Sequence, residues 1–293
     1  MNDLFLFKEL SNIFENINYI YLAIFSAFFA AISNLLIKNI VSTIDSKDIL
    51  GINFMIMAGT LFLISPLFFY LKVSLLVMVI LIIIAIIDTF ANYYYFKAFE
   101  KSEVSIVTPI LALAPVFTFI FGWFFINDKV SFLEFFSAII IMIFTILFST
   151  DFSKLKFFTH NTLIPAILSS ILFGLSAIPS KYLLSHGLIN ALTLYEIRAI
   201  LIGLMAFYLF GTGIKVLKRE HYKKLFFRSF FVMGKWFFLY YALKKGNAGV
   251  TMTLANITPI FVFILSLFFL QEKFTLKKVL AIISICILVY IIS

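Results

Sequence analysis

The sequence predicts an all-α integral membrane protein of ten transmembrane helices, folded as two inverted five-helix repeats. Three observations predict this. Of 293 residues, 63% are hydrophobic and only 13% are charged, and the mean hydropathy is +1.12. A soluble domain is about half apolar and roughly a quarter charged, and a globule of this length has no interior large enough for the surplus. Ten apolar runs reach or approach the ~20 residues that a helix rising 1.5 Å per residue needs to cross a hydrocarbon layer about 30 Å thick. The second half of the sequence also repeats the first. Unpaired backbone groups are not tolerated in lipid, so the spans are helices or a closed barrel, and barrel strands alternate apolar and polar residues. Stretches such as LLVMVILIIIAII do not alternate.

In chain order, residues 1–18 form a short amphipathic lead-in. It lacks the basic start and small-residue cleavage site of a signal peptide. The first span, 19–37, ends at Lys38. The second, 49–71, is parted from the third, 74–96, by Lys72 alone. The third carries Asp88 near its middle. The fourth, 104–126, contains Pro115 and ends at Asn127-Asp128-Lys129. The fifth is 131–149. After the polar connection 151–161 come spans 162–184 (with Pro179), 190–211 (with Glu196 and Arg198), 225–243 (with Lys235), 248–270 (with Pro259) and 276–292. Three units result: the lead-in 1–18, a first repeat 19–150 and a second repeat 151–293. Prolines inside spans bend helices and free carbonyls. Lys38 and Lys181, at the ends of the first and sixth spans, are expected to snorkel to the interface.

A shift of 144 residues aligns the ends of the halves without a gap. Ala98 meets Ala242, Lys101 meets Lys245, Pro115 meets Pro259 and Lys129 meets Lys273. Asn127-Asp128 faces Gln271-Glu272, and Ser131 faces Thr275. Polar and proline matches carry weight because such residues are scarce here. A second register, shifted by 143, pairs Ser33 with Ser176 and Lys38 with Lys181. Five spans per repeat is an odd number, so the second repeat lies upside down relative to the first. Inverted repeats are common in secondary transporters, with the substrate site at the midplane between them.

The segments ALAPVFTFIFGWFFINDKVSFLE and NITPIFVFILSLFFLQEKFTLKK carry a resemblance to a known family. Each has a proline in the fourth helix of its repeat, an apolar run, and a Gly-Glu-Arg-like turn before the fifth. In this pattern the chain resembles the drug/metabolite transporter superfamily, in particular its ten-helix EamA-type members. Asn127 and Gln271 stand where the family has glycine. The family's small-residue loop after the third helix is seen as Lys245-Gly246-Asn247-Ala248-Gly249, and more loosely as Lys101-Ser102-Glu103-Val104-Ser105. The resemblance implies the fold and transport, and says little about the substrate.

An ionisable residue at a span's centre costs roughly 2.5–3.5 kcal/mol on insertion scales and is a functional candidate by default. Asp88, Glu196, Arg198 and Lys235 are four such residues. Helical spacing puts Asn92 and Tyr95 on the face of Asp88. Lys235 aligns three residues from Asp88 across the repeat, so the two are expected to reach one central cavity, as a pair or as separate ligand groups. Trp236 and Tyr240, four apart, form an aromatic wall or ordinary packing. Asn34, Asn53 and Asn256 are single amides suited to helix–helix hydrogen bonds or ligand contact. The candidate substrate-binding set is Asp88, Asn92, Tyr95, Lys235, Trp236, Tyr240, Glu196, Arg198 and Asn256.

The expected function is a secondary transporter that moves a small polar metabolite, an amino acid or related zwitterion, by alternating access. No G-x-x-x-x-G-K-[ST] loop appears, so ion or solute gradients are the expected energy source, with Asp88 and Glu196 as proton or sodium sites. A membrane-embedded enzyme, a channel-like protein and a non-transporting membrane protein are the alternatives. No cofactor or metal is expected: the single Cys286 reads as a small packing residue, and His160, His186 and His221 share no ligand spacing. The formal charge of +9 is read as membrane orientation and anionic lipid rather than nucleic acid. The expected partners are a small-molecule substrate, the lipid bilayer and a coupling proton or sodium ion, in a monomer or homodimer. A bacterial inner (cell) membrane is the expected location. With Arg198, Arg228 and Lys235 left out as within spans, the side holding the termini carries six basic residues and the other side fourteen. The positive-inside rule then puts both termini outside, whereas the resemblance implies cytoplasmic termini. The charge count of this chain is given the greater weight.

Overall fold

A computed structural model describes residues 14, 16–101, 104–149, 160–269 and 276–292 of the chain. Most of the lead-in, Ser102 and Glu103, the connection 151–159 and the turn containing Gln271-Glu272-Lys273 lie outside the described residues. Among the described residues there are twelve α-helical segments and one isolated β-bridge. In the first repeat they are α1 (Tyr19–Val41), α2 (Ser46–Ile64), α3 (Leu75–Lys101), α4 (Val104–Leu111), α5 (Ala114–Ile126) and α6 (Phe132–Ser149). In the second they are α7 (His160–Ser185), α8 (Ala191–Phe210), α9 (Arg219–Lys245), α10 (Ala248–Ala255), α11 (Thr258–Phe269) and α12 (Leu276–Ile292). They make ten spans, because α4–α5 and α10–α11 are each one span broken in two.

The breaks fall at equivalent places. Leu113 and Ile257 correspond under the 144-residue shift, and each lies two residues before a proline. Proline lacks an N–H and its ring clashes with the preceding turn, so the first half-helix stops and the second starts with proline in its first turn, where the missing donor is harmless. At the second break, Asn256 caps α10 by donating its side-chain amide to Met252 O at 2.8 Å.

The helices pack as two halves exchanged by a pseudo-two-fold. The α1–α9 contact is matched by α7–α3, and α2–α8 and α6–α12 each pair a helix with its own counterpart. Lipid gives no hydrophobic drive between helices, so close approach and hydrogen bonds hold them together. Accordingly α1 buries Ser26, Ala27, Ala30, Ala31 and Ser33. In α7, Ser169 donates to Ala91 O at 3.0 Å and Ser170 to Ile110 O at 2.9 Å. A Cβ on Gly174 would lie 2.7 Å from Phe117 Cβ and 2.9 Å from Ala114 O, so only glycine lets α7 sit this close to α5.

Several boundaries differ from the sequence expectation. Helix α9 starts six residues early, because Arg219 to Lys224 continue the helix beyond the apolar run. The Lys218 backbone N–H donates to His221 Nδ1 at 2.9 Å to close that end. At Lys72 the chain is extended: its N–H donates to Leu188 O at 2.8 Å, and Leu71 bridges Ile189. The turn after α5 places Asn127 at φ 47°. Asparagine tolerates this left-handed conformation, which explains why the turn forms here without glycine. Cys286 is exposed rather than packed inside, because it falls on the outward face of α12.

Lys181 and Lys38 do not snorkel. Lys181 forms an ion pair with Asp128 at 3.0 Å and donates to Gly246 O at 2.7 Å. The Lys38 ammonium donates to Phe99 O at 2.8 Å. Both side chains turn into the bundle, where a carboxylate or an orphan carbonyl at a neighbouring helix end satisfies the ammonium better than the interface does.

Candidate functional site

A cavity of ≈ 70 Å³ lies between the repeats. Both broken spans border it, through Leu111 and Ala114 on one side and Ala255 and Thr258 on the other. Its polar groups come from five spans: Asn34 on α1, Tyr95 on α3, Thr108 on α4, Lys235 on α9, and Asn256 and Thr258 at the break between α10 and α11. Phe173 and Trp236 supply aromatic faces. This is the composition of a small-molecule site: mostly apolar walls with a few placed polar groups, and half-helix ends pointing at it.

The polar groups are held by the packing of the spans. Tyr95 donates to Asn34 Oδ1 at 2.5 Å, tying α3 to α1 beside the cavity. Lys235 has no hydrogen-bond or ion-pair partner among the described residues. Its ammonium lies 4.9 Å from the Trp236 ring centroid and 6.0 Å from that of Phe173. A cation over aromatic faces gains roughly 0.5–2 kcal/mol and keeps its N–H groups available.

Behind the cavity wall lies a second charged layer. Arg198 on α8 pairs with Asp88 on α3, and both are buried. The same guanidinium lies 4.6 Å from the Trp236 ring and 5.1 Å from the Tyr240 ring, and Tyr195 stacks on Trp236 at 6.1 Å. Asp88 therefore does not pair with Lys235, which was one of the two arrangements the sequence left open. The residue spacing is right, but α8 packs against α3 and brings Arg198 to the carboxylate first. Arg198 and Trp236 act as one unit, the guanidinium backing the ring that faces the cavity.

Arg228 is a third buried cation that the sequence reading left aside. Its Nη1 donates to Asn53 Oδ1 at 2.8 Å and its Nε to Ser33 O at 3.3 Å. The guanidinium also lies 5.3 Å from the Phe96 ring. All of these partners are neutral. The sequence signal was weak: Arg228 is the fourth residue of the apolar run that starts at Leu225, near an end where the insertion cost is small, and only the helix start at Arg219 places it well inside the span.

Of the predicted residues, Tyr95, Lys235, Trp236 and Asn256 line the cavity together. Asp88, Arg198 and Tyr240 form the layer behind it. Asn92 lies on the same helix as Asp88 and donates to its backbone oxygen at 2.8 Å, an intrahelical bond. Glu196 sits apart, buried beside Ser65 where α2 ends. Asn34 and Phe173 join the lining although neither was in the candidate set. Asn34 had been singled out only as a lone amide, and Phe173 is one of 40 phenylalanines.

One end of the cavity region is bridged between repeats. On the side that holds the termini, Asp128 accepts from Lys181 and, at 2.7 Å, from Ala248 N–H. Asn247 reaches Lys129 O at 3.4 Å. The turn after α5 is thereby joined to the end of α7 and the start of α10.

The profile of the EamA-like transporter family matches residues 17–150 and, again, 161–293. No curated protein sequence matches the chain. A solved structure described only as "Crystal structure of protein" has the same fold, with a TM-score of 0.70, 11% identity, and coverage of 94% of this chain and 95% of that one. At that identity the likeness speaks for the fold alone.

Proposed function

The chain belongs to the EamA-like transporter family, and on that premise we propose that it is a secondary transporter carrying a small polar metabolite by alternating access. The observation that carries this reading is the cavity lined by both repeats at their paired helix breaks. Two similar halves of opposite orientation have two related packings of nearly equal energy, and a solute bound between them faces each side in turn. The Lys181–Asp128 bridge joins the repeats on the termini side, and a packing open to that side requires this bridge to part.

Of the two acids expected to serve a coupling proton or sodium ion, Asp88 is held by Arg198. Glu196, with its Oε2 lacking a hydrogen-bond partner among the described residues, is then the coupling candidate. The excess of basic residues on the side opposite the termini supports an orientation with that side in the cytoplasm of a bacterial cell, which a reporter fused to the C-terminus would read. Purified protein in proteoliposomes preloaded with one solute is expected to accumulate the same labelled solute by counterflow. Flux that never saturates, or flux insensitive to filling the cavity with Asn256→Trp, would instead mark a channel.

A further inference from the structure

We propose that the transported molecule is a small organic anion whose carboxylate binds the Lys235 ammonium, with an apolar or aromatic body against Trp236 and Phe173. The proposal rests on the transporter reading and names the substrate class of that same cavity. It departs from the zwitterion expected from the sequence, because the acidic half of that site is spent.

The argument is a charge count. Among the described residues, three cations, Arg198, Arg228 and Lys235, and one anion, Asp88, stand around the cavity. Asp88 compensates Arg198. Arg228 donates only to neutral oxygens. Among the described residues, Lys235 has rings as its only neighbours in charge-stabilising contact, and both guanidinium groups repel it. The cluster therefore carries two uncompensated positive charges in a low-dielectric region, where Coulomb interactions are strong. Glu196 does not offset them, as it faces Ser65 on another seam. A site of this kind attracts an anion and repels an ammonium. The remaining lining has matching chemistry. The Asn34 and Asn256 amides and the Tyr95 hydroxyl provide neutral hydrogen-bonding groups, and the indole and phenyl faces take an apolar body.

One skeleton in four charge states tests this. Binding of 3-phenylpropionate, 3-phenylpropionamide, 3-phenylpropylamine and phenylalanine is measured on the detergent-purified full chain by thermal shift and by Trp fluorescence. The anion is expected to bind at least tenfold more tightly than the amide and the zwitterion, and the amine not at all. Lys235→Met is expected to weaken the anion at least tenfold while shifting the unliganded melting temperature by no more than a few degrees, since among the described residues Lys235 loses only its ring contacts. Lys235→Arg is expected to retain binding and guards against a folding defect in Lys235→Met. Equal binding of amide or amine, binding of the anion undiminished in Lys235→Met, or binding of none of the four would overturn the proposal. Counterflow of the bound probe separates the two readings. Anion binding without flux leaves the anion site standing and removes the transporter, whereas flux of amine or amide in preference to anion does the reverse.

Discussion

Replacing Asp88 by asparagine keeps the side-chain shape and removes the one carboxylate in contact with Arg198. The cluster then goes from three cations and one anion to three cations and none. A buried ion pair contributes little net stability, because desolvation offsets its Coulomb energy, but removing one partner strands the other at a cost of about 3–5 kcal/mol. Each ~1.4 kcal/mol is tenfold, so the unfolding constant is expected to rise by about 10²–10⁴. Arg198→Met strands Asp88 and is expected to cost a similar amount. Asp88→Leu combined with Arg198→Met exchanges the pair for apolar groups of similar size, and is expected to recover most of the loss. Unfolding by sodium dodecyl sulfate in mixed micelles measures all three, with tryptophan fluorescence as the signal. Only two tryptophans are present, and Trp236 lies directly under the Arg198 guanidinium, so its emission reports the same site. If the single variants unfolded within ~0.5 kcal/mol of the parent chain, or if the double variant showed the sum of the two losses, the ion-pair reasoning would be wrong.

Gly174→Val puts a side chain where a Cβ alone already meets Phe117 Cβ at 2.7 Å. It is expected to destabilise by about 1–3 kcal/mol through overpacking. Gly59→Ala, where nothing lies within 4 Å, is expected to be neutral or to gain up to ~1 kcal/mol of helix propensity, and thermal melts of the two compare them. Arg228→Lys is expected to destabilise the chain despite keeping the charge. One ammonium on a shorter, differently shaped head does not reproduce the fork that reaches both Asn53 and Ser33, and a melt that matched the parent chain would refute this. Finally, Lys181→Met removes the bridge to Asp128, and in a Cys286→Ser background it is expected to raise labelling of Leu239→Cys by a membrane-impermeant maleimide several-fold from the termini side. Unchanged labelling would mean that the bridge is not a latch.

Fold class, span count and family were legible in the linear sequence because each rests on something local or periodic. Twenty apolar residues in a row can do little else than span, an odd number of spans inverts the second half, and scarce polar and proline residues recurring 144 apart reveal the repeat. The cost of burying charge likewise singled out Asp88, Arg198 and Lys235 without any structure. Spacing along one helix fixes which residues share a face, but it carries no information on the axial height or rotation of a helix from the other half. Only the packing of α8 on α3 decided that Asp88 meets Arg198 rather than Lys235. Only the packing of α9 left Lys235 facing the cavity, and only the approach of the α5 turn to α7 gave Lys181 a carboxylate in place of the interface. Charge partners in a bundle are chosen by which helices become neighbours, and that choice is made by the close fit of small residues such as Gly174 over whole helix surfaces, at distances no single stretch of sequence spans.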